Sequence, residues 1–129
     1  MSDLEPGTEL ATLTVTPDRY VTYRYAGASG DFNPIHVDDE FARSVGLPGR
    51  ILHGLYTMAL VARAQTDAAG GPDKLKRLAV AFRGMALPEQ EITISSTVGE
   101  RNERGRLVVT STATQQGKAI IRNAVAEIE

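Results

Sequence analysis

The spacing of apolar residues changes period along this chain, and the change separates a helical first half from a second half of strands. From Thr8 to Thr14 polar and apolar positions alternate loosely, with Leu10, Leu13 and Val15 as the bulky members, which predicts a first strand. Thr16-Pro17-Asp18 then reads as a helix start, with Thr16 as cap and Pro17 at the first helical position. Tyr20, Val21, Tyr23 and Tyr25 suit packing along a short helix that Gly27 ends, the tyrosine hydroxyls reaching the surface. Asp38 can cap a second short helix over 39–45, with Phe41 and Val45 on one face and Gly46 at its end. From Ile51 to Ala64 the chain is apolar on nearly every face and rich in small residues, which predicts a helix buried along much of its length, starting at or near Gly54.

The run Ala68-Ala69-Gly70-Gly71-Pro72-Asp73 is the clearest break. Strands are predicted after it over 75–85, 92–100, 107–115 and 119–127. Alternation is plain where Val108, Thr110, Thr112 and Thr114 oppose Val109, Ser111 and Ala113. Arg101 to Gly105 and Gln115-Gln116-Gly117 supply hairpin turns, so the strands should form an antiparallel meander. The expectation is one α+β domain over residues 1–129, a curved sheet covering one long helix. Such a sheet leaves its edge strands open, so pairing with a second copy is expected.

Composition removes several alternatives. The chain has 129 residues, 42% hydrophobic and 23% charged, ordinary values for a folded domain. Its 14 basic and 16 acidic residues leave a net charge of −2, which gives no support to nucleic acid or an anionic membrane as partner. Absence of cysteine excludes disulfides, thiolate metal sites and a thiol nucleophile. The acidic start Met1-Ser2-Asp3-Leu4-Glu5 lacks the apolar run of a leader, and no tract is long enough to span a membrane, so a cytoplasmic location is expected.

Chemical potential is concentrated in Gly27-Ala-Ser-Gly-Asp31-Phe-Asn33-Pro34-Ile-His36-Val-Asp38. Asn33-Pro34 should disfavour a regular helix and produce a compact bend. Asp31 and His36 would then be near enough to hold one water or one substrate proton, as general acid/base chemistry requires. His53, just before the long helix, reads as a packed and hydrogen-bonded residue. His36, His53 and the nearby carboxylates match no zinc spacing, and Gly27 with Gly30 makes no dinucleotide fingerprint, so neither metal nor cofactor is expected. Arg50, Lys74 and Arg83 are candidates for contacting phosphates, though each also suits a solvated surface.

The stretch from Tyr25 to Asp38 resembles the signature of the MaoC-like hydratases, a hot-dog-fold group that includes (R)-specific enoyl-CoA hydratases and (3R)-hydroxyacyl-carrier-protein dehydratases. Leu47-Pro-Gly-Arg-Ile-Leu-His53-Gly54-Leu resembles that family's entry into its central helix, and Ala81-Phe-Arg83 with Leu87-Pro88 resembles the strand and bend after it. The resemblance implies that Asp31 and His36 form the catalytic pair and that the Gly54 amide binds a thioester carbonyl. Asn33 and Pro34 would orient the loop or the water, with His53 and Thr57 nearby. It implies reversible hydration of trans-2-enoyl thioesters on coenzyme A or a carrier protein, as a homodimer or as the catalytic half of a heterodimer. A non-catalytic thioester binder and a thioesterase are the alternatives within the fold. One departure is that some members carry a serine early in the central helix, where this chain has Thr57 and then Ala59, Ala62 and Ala64.

Overall fold

In a computed structural model, residues 4–129 are described; the start Met1–Asp3, read above as lacking a leader, lies outside the described residues. The elements in chain order are β1 (Leu13–Val15), α1 (Val21–Ser29), α2 (Pro34–Val37), α3 (Asp39–Ser44), α4 (Gly54–Ala69), a short 3-10 turn (Pro72–Lys74), β2 (Leu75–Phe82), β3 (Ile92–Arg101), β4 (Leu107–Gln115) and β5 (Lys118–Ile128). The five strands form one antiparallel sheet that packs against α4. This is the expected α+β layout.

The expected meander holds for β3, β4 and β5 but not for β2. Strand order is β1-β3-β4-β5-β2, so β2 lies at the far edge beside β5. The connection from Arg83 to Glu91 explains this, because it is longer than the roughly two to five residues that join hairpin strands. Between β4 and β5, Gln116 and Gly117 both adopt positive φ, 51° and 74°, and close a two-residue turn whose twist matches the strands. In β5, Asn123 at φ 52° marks a bulge against both neighbouring strands, a feature that bends a sheet.

β1 is shorter than the 8–14 expected. Upstream of it the chain still bonds to β3, yet register slips by one residue between Glu9↔Thr97 and Leu13↔Ile94, which interrupts the ladder. α1 begins after Tyr20 and not at Pro17, because the Asp18 carboxylate accepts the Tyr20 N–H at 2.7 Å and forms a turn of its own. It runs through Gly27 and ends at Gly30, whose φ of 79° suits the left-handed cap and whose N–H bonds Ala26 at 2.8 Å. α3 is capped by Asp38 as expected, its carboxylate accepting the Phe41 N–H at 3.1 Å. It packs through Ala42, however, and leaves Phe41 and Val45 exposed.

α4 starts at Gly54 as expected and continues to Ala69, where Gly70 at φ 94° ends it. Only one face is buried, through Thr57, Leu60, Val61, Ala64, Gln65 and Ala69. Leu55, Ala59, Arg63 and Asp67 stay exposed because the sheet covers a single side. Small apolar residues carry little penalty at a surface, so their abundance overstated burial. Against the buried stripe lie Ile92, Ile94, Ala113 and Ile121, each fully buried. Each isoleucine contributes roughly 1.5–3 kcal/mol by leaving water. A polar trio crosses this core: the Gln65 amide donates to Ser96 at 3.3 Å and to Ser111, and the two hydroxyls share a bond of 2.7 Å.

Candidate functional site

The site forms where α1 ends, α2 begins and α4 starts. Leaving the Gly30 cap, Asp31 bonds its own N–H to Ser29 Oγ at 3.2 Å, and its Oδ1 accepts the Asn33 N–H at 3.3 Å. Asn33 then caps α2 by accepting the Ile35 N–H at 3.2 Å, with Pro34 at the first helical position. Asn33-Pro34 therefore starts a helical turn, where a helix-disfavouring bend was expected. The proline lacks only a donor that a helix start leaves unbonded anyway. The consequence is that His36 sits on a defined turn, 8% exposed.

His36 Nδ1 lies 2.9 Å from the Ile51 carbonyl. A carbonyl only accepts, so Nδ1 carries the hydrogen and Nε2 is the nitrogen free to exchange a proton. Nε2 stands 3.8 Å from Asp31 Oδ2, and the Asp31 side chain is about half exposed, 52% against 10% for His36. The expected juxtaposition of carboxylate and imidazole is present, with one wet partner and one dry partner.

His53, 2% exposed, reaches back to the same loop and donates from Nε2 to the Asp31 carbonyl at 3.0 Å. Its ring stacks on His36 with centroids 3.9 Å apart and planes at 20°, and Tyr25 tilts against it at 4.7 Å. Donor atoms of Asp31, His36 and His53 all fall within 4.8 Å of one another. They do not fit a metal ion. A metal lies in the plane of each imidazole it binds, and two near-parallel stacked rings cannot both point at one ion.

Gly54 opens α4, so its N–H has no partner within the helix and the helix dipole favours an anion beside it. A β-carbon there would stand 3.2 Å from the Phe82 ring, tighter than ordinary contact. Gly54 and Phe82 border two hollows. One, of about 300 Å³, holds Asp31, Tyr25, Ser29 and Leu55; the other, of about 260 Å³, holds His36, Thr57, Ile51 and Met85. Thr57 is buried and donates its hydroxyl to the Gly54 carbonyl at 2.7 Å, securing the first turn of α4. The largest hollow, about 520 Å³, lies elsewhere, among sheet hydroxyls such as Thr97, Thr110 and Thr112, and its lining includes no histidine or cation.

Three contributors escaped the sequence reading. In sequence Tyr25 reads as packing and Phe82 only as part of a strand motif, and the Ile51 carbonyl leaves no trace in residue type. Of the phosphate candidates, Arg50 is committed: it bonds Asp39 through its N–H at 2.8 Å and its guanidinium at 2.9 Å, and covers the Tyr23 ring. The Arg50 backbone N–H, followed by its guanidinium, holds the Asp39 carboxyl below the usual carboxylate range. Arg83 and Lys74 are exposed, but Lys74 precedes the end of β2 opposite to Phe82. Burial raises the Tyr56 phenol, whose ring meets Tyr25 edge-on.

Among the described residues no helix is long and apolar enough to cross a membrane. Comparison with known proteins places the chain in a family. The chain is 40% identical over 96 residues to the fatty acid synthase subunit beta of Aspergillus oryzae, covering 72% of this chain and 5% of that protein. It is 31% identical over 115 residues to the enoyl-CoA hydratase ChsH3 of Mycobacterium tuberculosis, covering 88% of this chain and 38% of that one. The structure superposes on the (R)-hydratase PhaJ1 of Pseudomonas aeruginosa with a TM-score of 0.86 at 26% identity, over 98% of this chain and 82% of that one. The model of the MaoC like domain matches residues 3–119, and the chain belongs to that family.

Proposed function

We propose that this chain is a hydro-lyase that reversibly adds water to trans-2-enoyl thioesters to give (3R)-3-hydroxyacyl thioesters, with Asp31 as base, His36 as acid and the Gly54 N–H as carbonyl donor. One observation carries the reading: the Asp31–His36 pair, at 3.8 Å, shares its surroundings with a free helix-terminal amide. Water attacks the β-carbon of an enoyl thioester only if negative charge growing on the carbonyl oxygen is stabilised, and a preorganised N–H at a helix start does this. Glycine lets that oxygen approach the backbone.

The proton balance closes on the pair. The pair begins with Asp31 as carboxylate and His36 as imidazolium, the proton on Nε2 added to the one that Nδ1 shares with the Ile51 carbonyl; Asp31 takes a proton from water as oxygen bonds to the β-carbon. The double-bond electrons pass to the carbonyl oxygen, and His36 Nε2–H returns a proton to the α-carbon. Asp31 is then protonated and His36 neutral, and transfer between them restores the start. Both additions come from one side of the substrate because Asp31 Oδ2 and His36 Nε2 stand only 3.8 Å apart. Dehydration is the same path reversed. Asn33 and Pro34 hold the turn that aims His36, and Thr57 holds the turn that presents Gly54.

The substrate carrier is coenzyme A or an acyl carrier protein. The molecule works as a dimer, most simply of two copies, since among the described residues nothing pairs with the outer edge of β2, and the half-exposed Phe82, with Leu55 and Met85, lies beside the site. The experiment is an assay of the purified chain with crotonyl-CoA, with chiral analysis of the product. Formation of (3R)-3-hydroxybutyryl-CoA is expected. Free thiol released from saturated acyl-CoA without hydration would make it a thioesterase, and activity only with a second hot-dog subunit would make it half of a heterodimer.

A further inference from the structure

We propose that His53 is a positioning residue that holds both members of the acid/base pair at once, pinning the Asp31 backbone through Nε2–H and fixing the His36 ring plane by stacking. The inference rests on the hydratase reading and deepens it. Four observations carry it. First, His53 occupies the N-cap of α4, at φ −66° and ψ 138°, yet makes no side-chain cap bond. A residue placed there ordinarily turns its side chain to the first amides of the helix. This one turns away, toward the loop of Asp31.

Second, the bond to the Asp31 carbonyl is 3.0 Å long and fixes the His53 tautomer, since the carbonyl can only accept. The Asp31 side chain is about half exposed and its Oδ1 is tied only to the neighbouring Asn33 N–H. The His53 bond is thus the long-range anchor, across 22 positions of sequence, that sets where the carboxylate projects from.

Third, the His36 ring is limited by two contacts in different directions: the Ile51 carbonyl in its plane, at 2.9 Å, and the His53 face above it, at 3.9 Å. Rotation of His36 that would turn Nε2 from Asp31 must break both. The other groups around His53 are Tyr25, against its ring, and the Asp31 carboxylate. Fourth, His53 adjoins Gly54, so the residue that locates the acid/base pair is covalently joined to the residue that presents the carbonyl donor. His53 therefore links the pair to the donor by the shortest route, beside the Ile51 carbonyl that also holds His36. Misplacement of reacting groups by about 1 Å costs on the order of 100-fold in rate.

Two variants separate the two contacts. His53→Phe retains a stacking ring without the donor; His53→Gln retains a donor at matching reach without the ring. For both we expect kcat for crotonyl-CoA hydration to fall on the order of 10- to 100-fold with KM changed by less than about twofold, because placement and not affinity is lost. Nitrogen-15 NMR of the His36 ring reports positioning without turnover: in its neutral form the parent should show one tautomer, protonated at Nδ1, and each variant a mixture, because the loosened ring leaves the Ile51 carbonyl. An unchanged His36 signature in both variants, with kcat within about twofold of the parent, overturns the proposal. A parent that hydrates no enoyl thioester overturns the hydratase reading alone, and the ring spectra then decide the role of His53: a persistent single tautomer in both variants rejects it.

Discussion

The closeness of Asp31 and His36 is legible in sequence because five positions of chain with a proline between leave few ways to separate them. What was not legible is the Ile51 carbonyl, 15 positions away, which fixes the hydrogen on His36 Nδ1 and leaves Nε2 facing Asp31. Gly54 affords a test at the same scale. Gly54→Pro deletes the N–H yet suits the first position of a helix, and the extended ψ of 138° at His53 is what precedes a proline comfortably. The variant should keep its helical circular dichroism and lose about 10²- to 10³-fold in kcat, as removal of one oxyanion donor does. Loss of less than about threefold would remove Gly54 from the mechanism.

At the scale of elements, local signals were read correctly where a single residue decides. Asp38 caps α3, Gln116-Gly117 turn the last hairpin, and the break at 68–73 holds the Gly70 that ends α4, five residues beyond the expected Ala64. They failed where a neighbour decides: Asp18 forms its own turn and delays α1, and a one-sided sheet leaves half of α4 in water. α3 also shows a pH effect. Asp39 binds Arg50, and its carboxyl has a lowered pKa in the folded state. A depressed folded value means that the contribution is present above the unfolded value, near 3.8, and is lost as pH falls through the folded one. Asp39→Asn should therefore lower the melting temperature at pH 7, with the difference from the parent shrinking in strongly acidic solution. A difference that stays constant across that range would refute the ion-pair account. The effect should be modest, because the carboxylate is 38% exposed and solvent screens it.

For the whole molecule, alternation and turn chemistry identified strands and hairpins, whereas the crossing of β2 to the far edge depends on long-range packing that residue pattern does not encode. That crossing leaves β2 with a free edge next to Phe82 and the site. Sedimentation at micromolar concentration should find a particle of twice the 13.9 kDa chain mass. A fully active monomer would contradict the proposed pairing. The central claim, that Asp31 and His36 together move the protons of water addition, is tested most directly by steady-state hydration of crotonyl-CoA by the parent, Asp31→Asn and His36→Ala side by side. The account predicts kcat lower by about 10²- to 10⁴-fold in each variant with circular dichroism unchanged. Near-parental rates in either would contradict it.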